Sequence, residues 1–183
     1  MKQNRLKHLY VEELKDIYNA ENQMLKALPK MAKATTSPDL RAGFEEHLTQ
    51  THEHVARLEE IFSALGESPK GKKCKGMEGL VAEGAELIEE DPAAEELDAG
   101  LISAAQRVEH YEIAAYGCVS AYAKLLGEDQ ASLLLRKTLE EEKRTNEKLT
   151  ELSTKINVEA ANSEPNGDHR GKSSESKAKA HRA

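Results

Sequence analysis

Residues 108–127 read VEHYEIAAYGCVSAYAKLLG, and how this stretch folds decides the architecture of the chain. Val108, Ala115, Val119, Tyr122 and Leu126 recur at intervals of three, four and seven, the period of one face of an α-helix and not the alternation of a strand. The same face continues back through Ala105 and Leu101, which predicts a helix over about 94–126, terminated by Gly127. Glu112 falls on that face, with Glu109 one turn before it. A chain with ample surface for its acids has set two of them where their neighbours are apolar.

Three more long helices follow from the same periodicity. Residues 3 to about 34 carry Leu14, Ile17, Met24, Leu28 and Met31 on one face; Pro29 removes a backbone hydrogen bond, which predicts a kink near 25–29 and not two separate helices. Ser37-Pro38 has the form of an N-cap followed by a first-turn proline and opens a helix through Phe44, Leu48, Val55, Leu58, Phe62 and Leu65 to Gly66. The basic loop ESPKGKKCKG (67–76) leads into MEGLVAEGAELIEE, a short helix stopped by Asp91-Pro92. The last helix starts near Asp129 and carries Leu135, Leu139, Leu149, Leu152 and Ile156. Two helical hairpins joined by a long crossover with a short helix in it make an all-α, ferritin-like up-down four-helix bundle over residues 1–158. Residues 159–183 are polar and aperiodic, the composition of a disordered tail.

Composition agrees with that architecture and narrows the function. A net charge of −7, with 32% charged and 4% aromatic residues, suits a solvated helical bundle and argues against a general nucleic-acid binder. No apolar run approaches the roughly 20 residues that cross a bilayer, and MKQNRLKHLY lacks a signal-peptide core, so a cytoplasmic protein without a membrane role is expected. Cys74 and Cys118 make no metal-type spacing and are expected as thiols. The loop KGKKCK and the tail HRGKSSESKAKAHRA are the segments that offer phosphate contacts; a solvated linker and tail explain them equally simply. No Gly-rich phosphate loop, nucleophile elbow or zinc-type Cys/His spacing is present.

The chemistry lies in polar residues on apolar faces. Glu21 interrupts Leu14, Ile17, Met24 and Leu28, and Glu142 and Asn146 interrupt Leu135, Leu139 and Leu149. An isolated buried carboxylate costs several kcal/mol or must be protonated, so a cluster needs partners. Two divalent ions, iron or manganese, would supply them, as in carboxylate-bridged centres inside helical bundles. Glu21 and Gln50 are 29 residues apart, Glu112 and Glu142 30. Four residues beyond Gln50 and Glu142 stand His54 and Asn146, as a pseudo-twofold site would require. The candidate metal set is therefore Glu21, Gln50, His54, Glu109, Glu112, Glu142 and Asn146. His47 and His52 are assigned to the bundle flanks, and Thr49 stands where a Glu would complete a Glu-x-x-His pair with His52. Tyr18, Tyr111 and Tyr116 are placed near the site, chiefly as packing residues. The competing reading puts the acids at bundle edges, paired with Lys and Arg.

The runs ELKDIYNAENQMLKALPKMA, GFEEHLTQTHEHVARLEEIF, AAQRVEHYEIAAYG and LLRKTLEEEKRTNEKLTELS resemble the YciE/YciF family of bacterial stress-associated proteins in the ferritin-like superfamily, over about residues 5–157. The resemblance implies a four-helix bundle, a homodimer, a cytosolic stress role and a dinuclear metal centre. Family members usually carry Glu at the position of Gln50 and often Asp at that of Asn146, so two anionic donors become neutral amides here. The functional expectation is a stress-response protein that uses two metal ions to handle peroxide, oxygen species or the metal itself, as a ferroxidase- or catalase-like oxidoreductase or a metal store. The alternative is a non-enzymatic dimeric structural protein with a degenerate site. Nucleic-acid association through the basic tail is the weakest reading.

Overall fold

The computed structural model describes residues 5–163, and these are helical apart from short connections. The elements are α1 (Arg5–Ala34), α2 (Pro38–Leu65), α3 (Lys75–Glu89), α4 (Ala94–Leu125) and α5 (Asp129–Asn162). Helix α1 packs on α2, α2 on α5, α5 on α4 and α4 on α1, which closes a ring of four long helices, while α3 lies against α1 and α4. This is the ferritin-like bundle, with α3 in the crossover between the two hairpins.

The chain reversals are built by local chemistry. Ser37 takes an extended backbone at the N-cap of α2 and its hydroxyl accepts from Leu40 N at 3.4 Å, with Pro38 in the first turn. Asp98 of α4 braces the same turn: its two carboxylate oxygens accept from Thr35 Oγ1, Thr36 N, Thr36 Oγ1 and Ser37 N at 2.5–3.0 Å. Gly66 ends α2 at φ 65°, and its N–H reaches back to the last turn. Pro29 does not divide α1, which runs unbroken through it. The ring is exposed, so the carbonyl deprived of its helical donor is on the solvent side. Helix α5 continues to Asn162, four residues beyond the expected boundary at 158, although its apolar pattern ends at Ile156. Most of the tail expected to be disordered lies outside the described residues.

The core is split. One apolar cluster gathers Met24, Leu28, Phe44, Leu101, Val108, Leu149 and Ile156. The other gathers Tyr10, Leu14, Ile17, Leu58, Phe62, Val119 and Leu135. On each long helix the residues between the two clusters are the polar ones, so a layer of carboxylates and imidazoles separates the two halves of the bundle. Among the described residues no helix is long and apolar enough to cross a membrane, and both cysteines are free thiols.

Candidate metal centre

Each long helix brings its share of the layer by its own period. On α1 the buried series Leu14, Ile17, Glu21, Met24, Leu28 turns Glu21 inward. On α2 the series is Leu40, Phe44, His47, Thr51, His54, Leu58. Helix α4 contributes Glu109 and Glu112 one turn apart, and α5 contributes Glu142 between Thr138 and Leu149. Glu21, His47, His54, Glu109, Glu112 and Glu142 are all no more than 3% exposed.

These six side chains form two groups that share one member. His47, Glu109, Glu112 and Glu142 each offer a donor atom within 4.8 Å of the others, and so do Glu21, His54 and Glu142. His47 Nε2 lies 3.3 Å from Glu109 Oε1 and 3.9 Å from Glu142 Oε2. His54 Nδ1 lies 3.0 Å from Glu142 Oε1 and 3.4 Å from Glu21 Oε1. None of these approaches is aligned as a hydrogen bond: both oxygens of Glu112, both of Glu142, Oε2 of Glu109 and Nδ1 of His54 are buried without a hydrogen-bond partner. Native proteins leave few such atoms orphaned, because each costs about 1–3 kcal/mol. Carboxylate oxygens and imidazole nitrogens that point at one another without hydrogen-bonding fit a divalent cation.

The electrostatics express the same crowding. Burial, then repulsion from Glu142, holds the Glu109 carboxyl well above the usual carboxylate range. Burial, then Glu21, Glu142 and Glu109, does the same to Glu112. Burial opposes ionisation of Glu142 too, but His54 and His47 outweigh it and its pKa is lowered. Burial disfavours the charged form of His54, yet Glu141, Glu142 and Glu21 prevail and its pKa is pushed up to about 12. Burial and mutual repulsion thus favour the protonated forms of Glu109 and Glu112, whereas the histidines favour the charged form of Glu142.

Partners outside the layer fix its members. Tyr116 on α4, fully buried, donates its hydroxyl to Glu21 Oε1 at 2.5 Å. Glu141 contacts His54 Nε2 at 3.1 Å and is gripped by both terminal nitrogens of Arg57. His47 Nδ1 faces the Thr145 hydroxyl, at 3.3 Å. Beside His47 and Glu109 a cavity of about 20 Å³, otherwise walled mainly by apolar groups such as Met24, Phe44 and Leu149, adjoins the layer.

Of the residues predicted from sequence, Glu21, His54, Glu109, Glu112 and Glu142 come together. Gln50 and Asn146 have other side-chain partners. Both are half-buried: the side-chain oxygen of Gln50 accepts from Thr145 at 3.3 Å, and that of Asn146 faces Gln106 at 3.5 Å. The position at the depth assigned to Gln50 is held by Thr51, buried, with its hydroxyl bound to the His47 carbonyl. His47, assigned to the flank, belongs to the site; the signal for it is its two-turn spacing from His54 on the line from Leu40 and Phe44 to Leu58. His52 is exposed. Of the three tyrosines only Tyr116 reaches the layer, whereas Tyr18 donates to Glu59 and Tyr111 to Asp16. The acids do not sit at the bundle edges, and among the described residues Glu21, Glu109, Glu112 and Glu142 have no Lys or Arg ion pair.

The model of the family described as a domain of unknown function, DUF892, matches residues 5–162. The protein YciF of Escherichia coli K12 is 42% identical over 164 residues, covering 88% of this chain and 99% of YciF. The chain belongs to the YciF family. The crystal structure of the E. coli stress protein YciF superposes with a TM-score of 0.82, covering 86% of this chain and 99% of that one. YcfI of Rhodopseudomonas palustris, 40% identical, superposes at 0.77 over 82% of this chain and 97% of its own. A Xanthomonas campestris protein with 21% identity shares the fold at 0.69. Within the YciF family, this chain carries a buried layer of four glutamates and two histidines that can accept a metal.

Proposed function

We propose that the layer holds two divalent ions, iron or manganese, and that the protein serves a stress response by handling peroxide, other oxygen-derived species or the metal itself. The observation that carries this is the set of five buried carboxylate oxygens and one imidazole nitrogen with no hydrogen-bond partner, all in one layer. Two further features agree with it. The carboxylates of Glu21, Glu109, Glu112 and Glu142 would balance the charge of two divalent ions with both imidazoles neutral. The cavity beside His47 and Glu109 has room for one or two water molecules, which suits a small ligand.

The bound ions would supply redox and Lewis-acid chemistry. His47, Glu109 and Glu112 would hold one position, Glu21 and His54 the other, and Glu142 would serve both. Tyr116 orients Glu21 and keeps a proton within reach of it. The apolar clusters above and below exclude bulk water, which strengthens every charge interaction inside the layer. Membership of a family that includes a stress protein supports the physiological setting, and a cytoplasmic homodimer is the form we propose.

Metal counting tests the reading. Protein purified under reducing, metal-replete conditions is expected to carry close to two divalent ions per chain, to lose most of them on Glu112→Ala, and to melt lower after chelation because a ligand of the native state stabilises it. Less than one ion per chain, unchanged in Glu112→Ala and with a melting temperature indifferent to chelator, removes the proposal.

A further inference from the structure

The two histidines of the layer are supported in different ways. His47 turns Nε2 inward and has behind it a neutral hydroxyl, that of Thr145, 3.3 Å from Nδ1. His54 turns Nδ1 inward and has behind it a carboxylate, Glu141, 3.1 Å from Nε2. That carboxylate is held in turn: Arg57 contacts both of its oxygens, donates also to Thr138 Oγ1 at 3.0 Å, and is tied at its outer end to Glu53 at 2.7 Å. Glu141 is only 8% exposed and Arg57 also 8%, so their pairing is part of the interior and not a surface ion pair.

The tautomer of His54 follows. An ionised Glu141 can only accept, so Nε2 carries the hydrogen of that bond and the lone pair of the neutral ring resides on Nδ1. Nδ1 is the buried ring nitrogen without a hydrogen-bond partner, facing Glu21 and Glu142. A carboxylate behind a metal-binding imidazole orients the ring and raises its basicity; a hydroxyl does much less.

We propose that Glu141, held by Arg57, is a positioning residue that presents His54 Nδ1 to the Glu21–Glu142 metal position, and that the two metal positions are therefore unequal, one relying on a charged support and the other not. This rests on the metal reading above. It extends that reading to residues that touch no metal: Glu141 acts through His54, and Arg57 acts through Glu141. The position held by His47, Glu109, Glu112 and Glu142 keeps four donors whatever happens at Glu141.

Full-length chain stripped of metal and titrated with Co²⁺, followed by calorimetry and by the visible absorption that reports its donors, separates the possibilities. Wild type takes up Co²⁺ in two steps. Glu141→Leu weakens one step by roughly 10–100-fold and leaves the other within about twofold. Glu141→Gln weakens the same step by less, because its amide oxygen still accepts from Nε2. The surviving step shows that the variant is folded. In a His54→Leu background the Glu141→Gln change has no further effect on affinity, which a merely structural role for Glu141 would not produce. Two unchanged steps in both Glu141 variants, or equal weakening of both steps in Glu141→Gln with native helicity, overturns this inference and leaves the metal reading standing. No uptake of Co²⁺ by wild type overturns the metal reading and this inference with it.

Discussion

Tyr116 on α4 donates its hydroxyl to Glu21 Oε1 on α1 at 2.5 Å, joining the apolar half of the core that contains the tyrosine ring to the carboxylate layer. The two side chains are at most 1% exposed, so no solvent replaces the bond when it is lost. Tyr116→Phe keeps the ring and removes only the donor. It is expected to destabilise the metal-free protein by about 2 kcal/mol, within the range for leaving a buried polar group without its partner. Urea unfolding checks this, with an unchanged slope and a lower midpoint.

Glu112 should behave in the opposite way. Both of its oxygens are buried and unpartnered, so without metal the carboxyl is a burden on the fold. Replacing it with Met, similar in volume and without polar oxygens, is expected to stabilise the metal-free chain by about 2 kcal/mol while abolishing most of the gain from added metal. Melting curves of wild type and Glu112→Met, each with and without Mn²⁺, show whether the two effects have opposite signs.

The pH dependence of the metal-free protein has a definite direction. Glu109 and Glu112 keep protons in the folded chain that an unfolded chain releases above the ordinary value of 4.5. Their contribution is complete below that value and is lost as pH rises. His54, raised from 6.5 to about 12, contributes fully below 6.5 and loses its contribution through the alkaline range. Glu141, lowered from 4.5 to about 2, contributes above 4.5 and loses its contribution as pH falls. Chelated protein is therefore expected to melt highest near the ordinary carboxylate value and to weaken as pH rises from there. Metal reverses the trend, because its donors must be deprotonated. Scanning calorimetry across pH with and without chelator measures both curves; a chelated protein that is most stable at alkaline pH contradicts the assignment.

Asp98 carries a prediction unrelated to metal. Its carboxylate accepts four hydrogen bonds from the turn between α1 and α2. Asp98→Ala leaves those donors without their acceptor and is expected to cost about 3 kcal/mol. Hydrogen exchange at Thr36 and Ser37 should accelerate, and metal content should stay the same.

The helices were legible because their apolar residues keep one period over many turns, and because Ser37-Pro38, Gly66 and Asp91-Pro92 mark ends by their own chemistry. The four glutamates were legible for the same reason: each breaks an otherwise apolar series. The α2 and α5 contributions were harder to read. Gln50 and Thr51 straddle the inward line of α2 about one residue apart, and Thr145 and Asn146 do the same on α5, where one faces α2 and the other α4. A single-residue difference in angle decides which side chain enters the layer, and spacing along the chain does not resolve it. His47 was hidden by company: with His52 and His54 nearby, only the distance of two full turns separates the inward pair from the exposed member. Glu141 carried no periodic signal, since its importance comes from Arg57 and His54 across the interface with α2.

Helix α3 gives no donor to the layer. Its start is pinned to α1 through Asn19 and Gln23, which bind the Cys74 backbone, Met77 enters the first apolar cluster, and the helix packs against α4. The exposed face of this connection can therefore accept changes of charge or new surface features without disturbing the chemistry of the interior. Evolution has in this segment a place to alter what the protein meets on its outside while the four rods go on doing the same work within.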